Sequence, residues 1–211
     1  MQIISIIGQK GGTGKTTVAI SLAVQCVKNN KSCVVIDLDP QASASNWGDR
    51  RGNLQGGLEP FVISTQASRL SNVLKTANDQ GVDFVIIDTP GKSTDTSIVA
   101  TKVADKVIIP IQPNIFDTET LGNVKDILML SNNKATGIVV INKAQSNSKR
   151  HIQAIDISLS MGFEIAPTIL FQRSDHIKAS DIGLSAFEIN NKGKASKEIC
   201  ALYDYVFNNS N

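Results

Sequence analysis

Runs of apolar, β-branched residues recur along the chain at Ile3–Ile7, Cys33–Ile36, Phe61–Ile63, Phe84–Ile87, Val107–Ile111, Ile138–Ile141 and Ile165–Leu170. They are continuous rather than alternating, the pattern of strands buried on both faces, and the stretches between them are long enough for crossover helices. This predicts an α/β fold: a doubly wound, mostly parallel sheet flanked by helices, with its ligand at the strands' carboxyl ends. A last helix is expected over Ala195–Phe207, where Ile199, Leu202, Tyr203, Val206 and Phe207 share one face and should dock on the sheet. The polar, glycine-rich segment Gly48–Gly57 reads as an exposed loop. With no internal repeat and 211 residues, one domain spanning 1–211 is expected.

Composition narrows the chemistry by exclusion. A net charge of +2 does not announce nucleic-acid binding, so any such role must come from a local patch. Cys26, Cys33 and Cys200 lie far apart with no C-x-x-C, which speaks against a structural zinc or iron–sulfur site and fits free thiols in a reducing compartment. No apolar run approaches the roughly 18 to 20 residues that span a bilayer. The chain enters its first strand at once, leaving no room for a signal peptide, and a cytoplasmic protein is expected. The segment Tyr203–Asn208 carries an acid and no Lys or Arg, so attraction to anionic lipid is missing there; no membrane partner is expected.

The chemistry concentrates in Lys10-Gly11-Gly12-Thr13-Gly14-Lys15-Thr16-Thr17, placed directly after the first apolar run and before a helical pattern. Glycines there let backbone N–H groups wrap nucleotide phosphates, with Lys15 reaching the β- and γ-phosphates and the Thr16 hydroxyl ligating Mg²⁺. The loop departs from the general G-x-x-x-x-G-K-[ST] pattern: Gln9 stands at the first glycine position and a second lysine, Lys10, follows it.

That second lysine makes the loop resemble the deviant Walker A loop of the ParA/MinD family of ATPases, in P-loop NTPase folds. The resemblance runs from Ile3 to about Glu188. It implies ATP and Mg²⁺ as ligands and an ATP-dependent sandwich homodimer, in which Lys10 neutralises the partner's phosphates and Lys15 those bound in cis. Val34-Val35-Ile36-Asp37-Leu38-Asp39-Pro40-Gln41 resembles the family's D-x-D-P-Q segment, which implies that Asp39 orients the attacking water and approaches Mg²⁺ while Asp37 supports the loop or metal shell. Phe84-Val85-Ile86-Ile87-Asp88-Thr89-Pro90-Gly91 is similar to a Walker B strand: Asp88 would hold Mg²⁺, usually through water, and Gly91 would give a switch loop its freedom. Asn142, after Ile138–Ile141, falls where the family places an asparagine against adenine. Pro113, in Pro110-Ile111-Gln112-Pro113, would shape the base or dimer-interface region. Pro167-Thr168-Ile169-Leu170 with Arg173, and Gly183 to Glu188, also match.

The chain resembles the short ParA type, without an N-terminal DNA-binding extension. That implies a nucleoid-associated DNA-partition ATPase which holds non-specific DNA as an ATP dimer and is switched off when a ParB-type adaptor stimulates hydrolysis. Lys149, Arg150, Arg173, Lys178, Lys192, Lys194 and Lys197 are the candidate phosphate contacts, each adding a salt-sensitive increment through counterion release, doubled in a dimer. Two alternatives stay open. One keeps the ATPase and changes the cargo to a chemosensory cluster or microcompartment positioned over the nucleoid. The other is an ATP-dependent amide or carboxylate ligase of the same fold, for which no substrate-pocket insertion or added catalytic group is visible.

Overall fold

In the computed structural model, which describes residues 1–54, 59–133 and 135–208, the apolar runs become seven strands of one sheet. They are β1 (Gln2–Ile6), β2 (Cys33–Asp37), β3 (Phe61–Ser64), β4 (Phe84–Asp88), β5 (Lys106–Ile111), β6 (Gly137–Ile141) and β7 (Glu164–Ile165). The order is β3-β2-β4-β1-β5-β6-β7, and every recorded pairing is parallel. The doubly wound sheet expected from the sequence is therefore observed.

The described helices are α1 (Lys15–Lys28), α2 (Ser43–Gly52), α3 (Leu70–Asp79), α4 (Thr94–Lys102), α5 (Ile115–Glu119), α6 (Leu121–Leu130), α7 (Arg150–Ser160), α8 (Ser174–Asp181), α9 (Ala186–Ile189) and α10 (Lys194–Tyr203). Alternate strand residues split the core between the two faces. Ile4, Ile6, Val35, Ile86, Ile108 and Val140 pack with α1 and α10. On the opposite face Val107, Ile109, Val139 and Ile141 meet α6 and α7, while Val34, Ile36, Val85 and Ile87 meet α3 and α4. Burial on both faces is why these strands read as unbroken apolar runs.

The last helix docks as predicted. Ile199, Leu202, Tyr203, Val206 and Phe207 are all buried; α10 starts one residue earlier, at Lys194, and its final turn loosens into a π-turn over Asp204–Asn208.

Two expectations need correction. Residues 48–52 of the supposed loop belong to α2, and Gln55–Gly57 lie outside the described residues. Glycine-rich composition is overridden there by tertiary anchors. Trp47 is buried against Ile20 and Val24 and donates its indole N–H to the Leu184 carbonyl at 3.0 Å, while Arg51 is buried and ion-paired with Glu188 at 2.8 Å. The seventh strand, expected over Ile165–Leu170, is a strand only at Glu164–Ile165. Pro167 has no N–H to give to a ladder, so the segment continues beside β6 through isolated bonds, Ala166 N to Val139 O and Leu170 N to Ile141 O, both 2.9 Å.

Candidate functional site

β1, β2 and β4 end side by side, with Ile6 opposite Asp88 and Asp37 opposite Asp88 in the strand register. The glycine loop leaves β1 at this edge and turns into α1, whose N-cap is Gly14. No acidic residue occupies the first turn of α1, so the positive end of the helix and its free N–H groups face the loop uncompensated, a ready anion site. Two glycines here are required by geometry. Gly14 adopts φ +92°, and a Cβ on it would collide with the Asn142 amide nitrogen. A Cβ on Gly91 would come within 2.8 Å of the Gly11 nitrogen, so the loop after β4 packs directly on the phosphate loop.

Lys15 is buried, and its ammonium donates to the Lys10 carbonyl at 3.1 Å. Burial lowers its pKa, opposed by the charges of Asp88, Asp39 and Asp117. The Thr16 hydroxyl donates to Asp88 Oδ2 at 2.6 Å. Burial raises the Asp88 carboxyl from the ordinary carboxylate range to about 7, although the Thr16 hydrogen bond pulls the other way. Asp88 Oδ1 has no partner. Of the six buried side-chain polar atoms left unpaired among the described residues, three belong to this edge: Gln9 Nε2, Thr13 Oγ1 and Asp88 Oδ1. Buried polar groups rarely stay unpaired without a ligand or solvent to meet them. A hydroxyl beside a half-paired carboxylate suits Mg²⁺, which keeps several waters and phosphate oxygens and needs few protein ligands. No group of three or more His, Cys, Asp or Glu side chains able to hold a metal occurs among the described residues.

Asp37 braces the neighbouring loop. Its Oδ1 accepts from the Asp39 N–H at 3.0 Å, and its Oδ2 accepts from the N–H and hydroxyl of Ser45, each at 2.9 Å. Asp39 is half-buried and spends Oδ1 on the Gln41 N–H at 2.9 Å.

Lys10 takes a different direction from Lys15. Its ammonium lies 2.5 Å from Asp117 Oδ1, with the Lys10 side chain 38% exposed and that of Asp117 fully buried. It also stands 5.5 Å from the ring centroid of Phe116, a side chain left largely exposed on α5. Half-buried Pro113 immediately precedes this segment, and Asn114 caps α5 by accepting the Asp117 N–H. Asp117 carries no motif signal from the sequence alone and is found only through its contact with Lys10.

Asn142 closes the other side of the loop. It is buried, donates Nδ2 to the Thr13 carbonyl at 2.7 Å, and accepts the Lys143 N–H on Oδ1 at 2.9 Å. Its amide therefore has one N–H and one lone pair left over. Beside it opens a recess of about 260 Å³ lined by Thr17, Asn142, Lys143, by Gln172 before α8, and by His176 and Ile177 of α8. Burial lowers the His176 pKa, opposed by Glu198 and Asp175.

The basic candidates are scattered. Lys149 and Arg150 open α7 on one face of the sheet, whereas Lys192, Lys194 and Lys197 precede or lie in α10 on the other; Lys178 is on α8, and all six are exposed. Arg173 is already engaged: its guanidinium binds Glu198 Oε1 at 2.7 Å and lies 5.0 Å from the Phe171 ring centroid. A guanidinium so paired has less charge to offer a phosphate than the free lysines.

Residues 4–185 match the family described as the CobQ/CobB/MinD/ParA nucleotide binding domain. Maintenance of carboxysome distribution protein A of Gloeobacter kilaueensis is 30% identical over 122 residues, covering 57% of this chain and 53% of that protein. Chromosome-partitioning ATPase Soj of Thermus thermophilus is 29% identical over 141 residues, covering 55% and 57%. The chain thus spans about half the length of these relatives. A structure of a plasmid partition protein from Borrelia burgdorferi bound to AMPPNP superposes with a TM-score of 0.78 at 20% identity, covering 99% of each chain. Phosphate loop, strand-end carboxylates and sheet order thus agree with the sequence match, and the chain belongs to the CobQ/CobB/MinD/ParA nucleotide binding domain family.

Proposed function

We propose that residues 1–211 act as one Mg²⁺-dependent ATPase unit whose nucleotide state switches a homodimer on and off DNA. The observation that carries this reading is the division between the two loop lysines. Lys15 is buried beside the carboxylates of the strand ends, while the partly exposed Lys10 points away from them, to buried Asp117 and to the exposed ring of Phe116. Gly11, Gly12, Thr13, Gly14, Lys15, Thr16 and Thr17 would hold the phosphates, and Thr16 and Asp88, with Asp39 nearby, would hold Mg²⁺. Bound Mg²⁺ would draw charge off the β- and γ-phosphate oxygens. Asp39, with an oxygen left after serving Gln41, would orient the attacking water. Asn142 and Pro113 would flank the base and the dimer edge.

The DNA-partition reading adds a ParB-type adaptor that triggers hydrolysis, a cytoplasmic, nucleoid-bound location, and DNA contacts from Lys149, Arg150, Lys178, Lys192, Lys194 and Lys197, with Arg173 subordinate because of Glu198. Among the described residues no helix is long and apolar enough to cross a membrane. A second reading is favoured by the likeness to the carboxysome distribution protein: the same ATPase positioning a protein cargo. Both readings predict that DNA is retained with Mg²⁺–AMPPNP and released with ADP, and that affinity falls steeply with salt, as counterion release demands. Equal DNA binding in every nucleotide state would overturn both. Stimulation by an adaptor that itself binds a centromere-like repeat separates the first from the second.

A further inference from the structure

We propose that Lys143, a residue outside the glycine loop, is a positioning residue for the nucleotide, tying the phosphate loop to the recess that takes the base. This rests on the nucleotide-binding reading above. Lys143 has φ +51°, a left-handed backbone that costs a non-glycine residue on the order of 1 kcal/mol and persists only where neighbours impose it. The neighbour here is Asn142, which accepts the Lys143 N–H and is itself anchored to the Thr13 carbonyl. The kink sends the lysine back over the loop, where its ammonium donates to the Gly12 carbonyl at 2.7 Å. That same carbonyl accepts from Gln112 Nε2 at 3.1 Å. No carboxylate pairs with Lys143 among the described residues.

The consequence follows from peptide planarity. In a trans peptide the C=O and the next N–H point in opposite directions. Holding the Gly12 and Thr13 oxygens toward Lys143 and Asn142 therefore directs the Thr13 and Gly14 N–H groups the other way, and these are donors the phosphates need. The lysine stem has a second use. Its Cε lies 3.7 Å from where a Cβ on Gly14 would stand, and the residue lines the recess shared with Thr17 and Ile177. One side chain thus touches the loop with its charge and the recess with its methylenes.

The two halves are separable by equilibrium binding of ATP and of inorganic tripolyphosphate, which has no base, both with Mg²⁺. Lys143→Met keeps most of the stem and loses the charge; it should weaken both ligands by a similar factor of about tenfold, the scale of one charge-assisted hydrogen bond. Lys143→Ala should weaken tripolyphosphate to the same extent and ATP by several-fold more. Lys143→Arg should restore most of both affinities. Lys143 is exposed, so unfolding of the nucleotide-free variants should match wild type. Lys143→Ala binding both ligands like wild type would overturn the proposal while leaving the nucleotide site intact, and an ATP-to-tripolyphosphate ratio equal in Lys143→Met and Lys143→Ala would overturn the role of the stem. Wild type that binds neither ligand would instead overturn the nucleotide reading itself.

Discussion

Lys10 and Lys15 stand in one loop, yet their ammonium groups meet different surroundings. Lys15 is enclosed; Lys10 is partly exposed and rests on buried Asp117. Removing Lys10 should therefore leave one subunit's own phosphate cradle whole. Lys10→Ala is expected to bind ATP within about twofold of wild type, a few tenths of a kcal/mol, while losing ATP-dependent dimerisation in sedimentation; normal dimerisation would contradict a role toward a partner. Asp88 supplies a pH test. Its carboxyl is raised to about 7, first by burial, so the ligand-free fold binds a proton that the unfolded chain has released. The stability this gives is full below the ordinary carboxylate pKa and is lost as pH rises through about 7. Between pH 6 and 8 the ligand-free protein should lose on the order of 1 kcal/mol through this group, and Asp88→Asn should flatten that slope in denaturant titrations. Parallel slopes for the two proteins would contradict it. Mg²⁺ with nucleotide should favour the ionised form and reverse the trend.

Elements were legible where their signals were local. Strands β1, β2, β4, β5 and β6 carry continuous apolar runs because helices cover both faces, and the glycine loop sits between a strand and a helix in the only order its chemistry allows. α2 was not legible, since what holds it lies 137 residues downstream in sequence: Trp47 reaches Leu184 and Arg51 reaches Glu188. Asp117 was hidden for the same reason, its partner Lys10 being 107 residues away. Lys143 stood next to a recognised asparagine, but only the backbone shows that it turns toward Gly12. The Arg51–Glu188 pair joins α2, which follows the Asp37–Asp39 segment, to α9. Arg51 also donates to the Glu59 and Gly183 carbonyls. Although burial pushes Glu188 up, hydrogen bonds from Arg51 and Ser185 outweigh it and hold its pKa below the usual value. Glu188→Ala would leave a buried guanidinium without its counter-charge and should cost about 3–5 kcal/mol, whereas Arg51→Met with Glu188→Leu should recover most of that loss in urea titrations. A loss no larger than that of a surface substitution would show that the strut is dispensable.

At the scale of the whole molecule, net charge is close to zero and the exposed lysines are divided between the two faces of the sheet. Among the described residues the candidate contacts Lys149, Arg150, Lys178, Lys192, Lys194 and Lys197 do not line up along one element, so under the proposed reading useful DNA affinity would come from joining two copies, through avidity rather than through any one strong contact. In the proposed function assembly is for this reason the event on which the rest would depend: DNA retention, adaptor response and cargo positioning would all follow from whether nucleotide brings two subunits together. The direct test is the mass of the protein in solution, by light scattering, with Mg²⁺–AMPPNP, with Mg²⁺–ADP and without nucleotide. The expected result is a doubling of mass with AMPPNP alone, abolished by Lys15→Ala; one mass in all three conditions, whether monomer or dimer, would contradict a nucleotide-switched dimer.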